Sequence, residues 1–146
     1  MKIAAGSDHA GLALKRQLVE RLRTQGHEVH DLGTHDAQSC DYPDYAALVA
    51  RAVESGEADR GLLVCGTGQG MAMAANRVPG VRAAVCADTF TARATRAHND
   101  ANVLCIGERV VGPGLAADIV DAFVAGPYEG GRHANRVAKI VALERR

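Results

Sequence analysis

Five short apolar runs alternate with helix-period segments along this chain, and few architectures accept that order. The runs are Lys2–Gly6, Glu28–Leu32, Leu62–Val64, Val81–Cys86 and Asn102–Ile106. Leu14, Leu18 and Leu22 recur every fourth residue between Gly11 and Gln25, and Gly26 supplies a stop. Tyr42-Pro43-Asp44 opens a second helix, carried by Tyr45, Leu48, Val49, Ala52 and Val53 to Gly56. A small apolar segment, Met71–Ala75, gives a third, and Thr89–His98 a fourth whose apolar face is mostly Ala. Pro113–Val124 presents Leu115, Ile119, Val120 and Phe123 on one side and closes at Gly126-Pro127. Strands that alternate with helices pair in parallel through right-handed crossovers. The predicted fold is therefore α/β: a three-layer, doubly wound, five-stranded parallel sheet. A further helix, from about His133 to Leu143, carries Val137, Ile140, Val141 and Leu143. Five βα units do not need it, which leaves it able to pack on a partner chain.

At 146 residues, without linker, repeat or low-complexity stretch, residues 1–146 read as a single domain. The 17 basic and 17 acidic residues cancel, so nothing in the charge points to nucleic acid or a membrane surface. Aromatics at 3% argue against base-stacking platforms. Cys40, Cys65, Cys86 and Cys105 show no CxxC or zinc-ligand spacing, which fits free thiols in a reducing, cytoplasmic setting. The N-terminus MKIAAGSDH meets charge too soon for a signal peptide, and no apolar run approaches spanning length.

Chemistry concentrates in GLLVCGTGQGMAM, Gly61–Met73. A strand, a turn with Gly66, Gly68 and Gly70, then a helix leaves backbone N–H groups aimed at an anion. Cys65 and Thr67 sit inside that turn; a thiol beside several N–H donors is a candidate base or nucleophile. GTGQG matches neither GxGxxG nor GxxxxGK[ST], so the turn alone is also a plain tight connection. Other polar residues flank strand ends: Asp8 and His9 after the first, Asp88 after the fourth, Arg109 after the fifth, with His98-Asn99-Asp100 just before it. Together they are expected at the rim of a parallel sheet, where ligands bind. Singly, each has a plainer role. Asp8 and Asp88 are helix caps, His98 is a cation at a helix C-terminus, and His27, His30 and His35 are solvated surface. Arg132 and Arg136, four apart, are either a solvated pair or a clamp on one phosphate.

Taken in order, the segments GSDHAG (Gly6–Gly11), DYPDYA (Asp41–Ala46), CGTGQG (Cys65–Gly70), HNDANVLCIGERVVG (His98–Gly112) and YEGGRHANRV (Tyr128–Val137) span nearly the whole chain. In combination they resemble ribose-5-phosphate isomerase type B, of the group that includes the galactose-6-phosphate isomerase subunits. The resemblance implies a flavodoxin-like or Rossmann-type domain, a homodimer or dimer of dimers, no metal and no cofactor. It implies aldose–ketose isomerisation of a phosphorylated sugar, ribose 5-phosphate to ribulose 5-phosphate, through an enediolate. Carried over by position, Cys65 is the base and the segment Gly66, Thr67, Gly68, Gln69 and Gly70 forms the anion hole. Thr67 helps proton transfer and His98 assists opening of the furanose ring. Asp8, His9 and Asn99 contact the sugar, Tyr42 walls the pocket, and Arg109, Arg132 and Arg136 hold the phosphate, partly from the neighbouring chain.

Some relatives use a carboxylate in the glycine loop instead of the thiol; this loop has no acid, so the chain falls with the cysteine type. Gln69 stands where small or aliphatic residues are common. Two other readings stay open. One is a non-enzymatic nucleotide- or phosphate-binding module; the other is an isomerase of a different phosphosugar such as allose 6-phosphate.

Overall fold

The computed structural model describes residues 1–145. Its strands are β1 (Lys2–Ser7), β2 (Glu28–Asp31), β3 (Arg60–Cys65), β4 (Ala83–Val85) and β5 (Val103–Gly107). They form one parallel sheet in the order β2-β1-β3-β5-β4. The helices are α1 (Leu12–Thr24), α2 (Tyr42–Glu54), α3 (Gln69–Ala75), α4 (Thr89–Asn99), α5 (Pro113–Ala125) and α6 (Arg132–Ala142). This is the doubly wound α/β architecture expected from the alternation. No described helix is long and apolar enough to cross a membrane.

Alternation along each central strand feeds two cores. Ile3, Ala5, Leu62, Val64, Leu104 and Ile106 face α1 and α5 through Leu14, Leu18, Leu22, Ile119, Val120 and Phe123. Ala4, Leu63, Cys65, Val103 and Cys105 face α2 and α3 through Ala46, Val49, Ala50, Met71 and Ala75. The order reverses between β1 and β3, so the carboxyl ends of these two strands diverge into helices on opposite faces. That divergence is where a doubly wound sheet opens a crevice.

Element boundaries differ from the sequence expectation for physical reasons. β4 covers only Ala83–Val85, because an edge strand pairs on one side and its ladder to β5 holds three residue pairs. α3 begins at Gln69, two residues before the apolar segment, because Gly68 takes φ 80° and its carbonyl already accepts from the Ala72 amide. The α6 face read as apolar is not covered: His133 is its buried residue, whereas Ile140 and, just past its end, Leu143 are 43% and 60% exposed. Phe90 and Met73 are 72% and 70% exposed. α6 packs on α4.

Among the described residues, Lys15 is a charged group with no exposed surface. Lys15 Nζ donates to Asp31 Oδ1 at 2.7 Å and to the Thr34 carbonyl at 2.5 Å. Asp31 Oδ1 also accepts from the Gly33 amide at 3.0 Å. The buried ammonium thus ties α1 to the start of the long loop that leads to Tyr42.

Candidate active site

The carboxyl ends of β1, β3 and β5 converge on an open cleft of about 470 Å³, a size suited to a small metabolite. Asp8, His9, Tyr42, Cys65, Gly66, Thr67, Gln69, Gly70 and Arg109 line it, together with Ala10 and Met73. Nine of the residues expected to form a site are therefore neighbours in space. Met73 was not legible as a lining residue, since on sequence it belongs to an apolar segment.

Cys65 ends β3 and is 5% exposed, at the floor. The Gly68 amide donates to its Sγ at 3.1 Å, so a negative charge on sulfur has a donor already in place. Gly68 itself has a positive φ, which turns the chain into α3, and an L side chain would strain there. Burial pushes the Cys86 thiol upward in pKa and the Cys105 thiol far above the ordinary thiol range. Next in the loop, Thr67 Oγ1 accepts from the Gln69 amide at 3.3 Å. Gly70 lies against the Tyr42 ring so closely that a Cβ would come within 2.6 Å of it. Absence of a side chain at Gly70 is thus what lets Tyr42 form the wall.

Neighbouring turns are locked to this loop. The amides of Glu108 and Arg109 donate to the carbonyls of Cys65 and Gly66 at 2.9 and 3.1 Å. The Arg109 guanidinium lies over Gly66. Glu108 Oε2 accepts from the Leu14 amide at 3.0 Å, closing the first turn of α1. Asp8 does cap: its Oδ1 accepts from the amides of Ala10 and Gly11 at 2.9 and 3.1 Å. It lines the cleft as well. His9 Nδ1 accepts from the Cys40 amide at 3.2 Å. That bond requires a bare Nδ1, so the neutral ring carries its proton on Nε2 as a donor.

His98, Asn99, Arg132 and Arg136 lie elsewhere. A crossover helix in a parallel sheet runs against the strands, so α4 starts at the carboxyl rim after β4 and ends at the opposite rim, where β5 begins. Hence His98 and Asn99 stand at the far edge from Cys65. The expectation that His98-Asn99-Asp100 joins the Cys65 rim within one chain is corrected by this direction of travel. The two arginines belong with His98. The Glu129 amide donates to the Ala97 carbonyl at 3.1 Å, docking the entry of α6 on the end of α4. The His98 and His133 rings then stack with centroids 4.4 Å apart and planes 17° from parallel. Burial, His98 and Arg132 hold the His133 pKa below its ordinary value. Asp100, at φ 47°, fixes this corner by accepting from Arg96 Nη1 at 2.8 Å and Arg82 Nη2 at 3.1 Å. A groove of about 640 Å³ runs alongside, with Asn99, Val81, Ile140 and Leu143 among its lining.

Besides Asp8, the plainer sequence readings hold at four further positions. Asp88 Oδ1 caps α4 through the Thr91 amide at 2.7 Å. His27 meets the chain's amino terminus at 3.3 Å, His30 meets Glu28 at 2.7 Å, and the His35 carbonyl accepts from Arg16 at 2.7 Å, all on the surface.

A thiol with an aimed amide donor, a glycine turn and an arginine at the carboxyl rim of a doubly wound sheet define a site for acid–base or nucleophilic chemistry on a small anionic substrate. The chain belongs to the Ribose/Galactose Isomerase family, whose pattern it matches over residues 3–140. It is 52% identical to ribose-5-phosphate isomerase B of Escherichia coli over 145 residues, 99% of this chain and 97% of that one. Among solved structures, Clostridium thermocellum ribose-5-phosphate isomerase B superposes with a TM-score of 0.98 at 56% identity, covering 99% of this chain and 98% of the other. The Mycoplasma genitalium ribose-5-phosphate isomerase B with bound ribulose 5-phosphate superposes with a TM-score of 0.95 at 44% identity, covering 99% and 96%.

Proposed function

We propose that this chain interconverts ribose 5-phosphate and ribulose 5-phosphate through an enediolate, with Cys65 as the base. The observation that carries the reading is the Gly68 amide on Cys65 Sγ, 3.1 Å away, at the floor of a cleft that Arg109 overhangs. A proton alpha to a carbonyl is weakly acidic, so its removal needs both a base and donors for the oxygen that becomes negative. Cys65 as thiolate takes the proton from C2 of the open-chain aldose and returns it to C1 of the enediolate. The amides of the Gly66–Gly70 turn other than those of Gly68 and Gln69, which serve Cys65 and Thr67, face the developing oxyanion, and Thr67 relays the hydroxyl proton between O1 and O2. Asp8 and the Nε2–H of His9 orient the sugar hydroxyls, Tyr42 walls the cleft, and Arg109 takes part of the phosphate charge. Phosphate lies remote from the reacting carbons, so its binding supplies positioning.

The remaining groups come from a second copy of the chain. His98, Asn99, Arg132 and Arg136 form one cluster at the opposite rim, while Asp8, His9, Tyr42, Cys65 and Arg109 form the other. A two-fold dimer joins each cluster to the partner's complement. Exposed Met73 beside the cleft and exposed Ile140 and Leu143 on the groove supply apolar surface for such contact. In the assembled site His98 moves the proton that opens the furanose ring, Asn99 holds the sugar, and Arg132 with Arg136 completes the phosphate clamp. Four unpaired thiols suit the reducing cytoplasm.

The test is turnover of ribose 5-phosphate in D2O, followed by proton NMR, beside allose 6-phosphate and galactose 6-phosphate. Solvent deuterium is expected in the product at the position that exchanges with Cys65, with ribose 5-phosphate the preferred substrate. Absence of isomerisation on all three, with ligand-induced thermal stabilisation retained, would leave a binding module.

A further inference from the structure

The geometry points to a second property of the α4–α6 corner: His98, Glu129 and His133 form a three-donor site for a borderline first-row cation, Zn²⁺ above all, whose occupation shuts the isomerase off. Among the described residues these three side chains bring their ligand atoms within 4.8 Å of one another. His133 Nε2 and Glu129 Oε2 are 3.6 Å apart. Two donors on a tetrahedral cation with bonds of about 2.0–2.1 Å stand about 3.4 Å apart, so this pair needs little movement. The imidazoles stack with centroids 4.4 Å apart and planes 17° from parallel, so His98 must turn out of the stack to bring a nitrogen lone pair onto a cation held by His133 and Glu129. Two imidazoles and one carboxylate are the donor set that suits zinc, and three protein ligands leave a fourth position for water.

The backbone that carries these donors is tied together before any ion arrives. Glu129 and His133 are four residues apart across the opening of α6, and the Glu129 amide is bonded to the Ala97 carbonyl, one residue before His98. His133 is 6% exposed and held in place, whereas His98 and Glu129 are exposed and free to close on a cation. Arg132 and Arg136 on the same helix oppose a positive charge. Their repulsion keeps the affinity below that of a resident structural ion, which is what a reversible inhibitor requires. A His98 nitrogen bound to metal has no lone pair for the sugar, so ring opening stops. This consequence rests on the proposed catalytic role of His98; the binding itself does not.

The experiment uses the full chain after EDTA treatment and dialysis, with Co²⁺ as optical probe and Zn²⁺ as inhibitor. One Co²⁺ per chain is expected, with weak visible d–d bands and no intense thiolate charge-transfer band, which separates this site from Cys40 and Cys65. Glu129 is exposed, so Glu129→Gln should keep the fold, checked by circular dichroism, and keep metal-free turnover. It should weaken Co²⁺ binding and raise the Zn²⁺ inhibition midpoint, each by at least about tenfold. His133→Ala should do the same to Co²⁺ binding. No stoichiometric binding, a thiolate band, or midpoints unchanged in Glu129→Gln would overturn the site. Binding at these residues with full turnover would overturn the inhibitory part. Failure of the isomerase reading is distinct, because it would leave the metal-free wild-type protein without turnover.

Discussion

The amide of Gly68 donates to the sulfur of Cys65 across 3.1 Å, closing a three-residue turn between the end of β3 and the start of α3. That bond ties backbone conformation to chemistry. Gly68 takes φ 80°, which turns the chain from the strand end into α3, and its carbonyl accepts the first bond of that helix. One residue therefore donates to the Cys65 sulfur and starts the helix behind it.

Cys65→Ala is expected to abolish isomerisation while leaving the fold and phosphosugar binding nearly intact, because it removes a base and little volume. Exchange of the C2 proton with solvent should stop as well. Steady-state assay and NMR exchange are the measurements. Turnover within about tenfold of wild type, a barrier change of only ~1.4 kcal/mol, would show that the thiol is not the base.

Gly68→Ala tests the geometry without touching the thiol. A Cβ in the left-handed region costs about 1–2 kcal/mol, and here it would also stand 3.1 Å from the Ile106 carbonyl carbon. A lower unfolding midpoint is expected together with a fall in kcat of at least about tenfold as the amide turns away from sulfur. Reactivity of Cys65 toward iodoacetamide should fall in step. Lost stability with unchanged kcat and alkylation rate would reduce the bond to a packing feature.

Much of this site was legible in the sequence, and the parts that were not have identifiable physical causes. Strand-end position identifies Asp8, His9, Cys65 and Arg109, because each follows an apolar run and parallel strands deliver their ends to one rim. The same rule misplaces His98. It precedes β5, and a residue before a strand in a βαβ unit sits at the amino rim. Distance along the chain hides this, since His98 and Arg109 flank one strand only 11 residues apart and still face opposite ends of the sheet. The uncovered face of α6 was foreshadowed, since five βα units do not need this helix, and Ile140 and Leu143 indeed stay exposed on the single chain. Lys15 was out of reach altogether: a lysine in an amphipathic helix reads as solvated until the Gly33–Thr34 backbone closes over it.

Asp31→Ala leaves the Lys15 ammonium inside the fold without its carboxylate. Removing one member of a buried pair is expected to cost about 3–5 kcal/mol, since the remaining charge stays desolvated. Urea unfolding should register the loss. Lys15→Met in the same background should recover most of it, because an apolar chain of similar length has no charge to desolvate. Because the pair anchors the loop leading to Tyr42, KM for the phosphosugar should rise in Asp31→Ala and fall back in the double variant. A double variant as unstable as Asp31→Ala would assign the loss to lost packing.

His133 sets a pH dependence of stability whose sign follows from its neighbours. Burial, His98 and Arg132 depress its folded pKa, so between that lowered value and about 6.5 the unfolded chain binds more protons than the folded one. Stability should be full above pH 6.5, decline as pH falls through the unfolded value, and stop declining once pH is below the folded pKa. Thermal unfolding in EDTA at constant ionic strength across pH 5–8 measures it. His133→Gln, neutral throughout, should show a flatter profile in that window. An equal slope in both proteins would place the proton uptake on another group.

The split site makes the strongest demand on the assembly. Arg132 and Arg136 open α6 beside His98, at the rim opposite the chain's own Cys65. On the proposed reading, each site of a two-fold dimer takes its base from one chain and His98 with two arginines from the other. Cys65→Ala and Arg132→Ala/Arg136→Ala should each be inactive alone. After dissociation and reassociation of an equal mixture, about half the dimers carry one chain of each kind, and in these both lesions fall in one site. The second site is whole, so activity should recover to roughly a quarter of wild type. A mixture of Cys65→Ala with His98→Asn should recover in the same proportion, because His98 travels with the arginines. If instead one chain supplied every group, no site in any dimer would be intact and activity would stay at background. Background activity with subunit exchange verified by mass spectrometry would sink the shared site. Recovery with the arginine variant but not with His98→Asn would put His98 on the same side as Cys65, against the direction in which α4 runs.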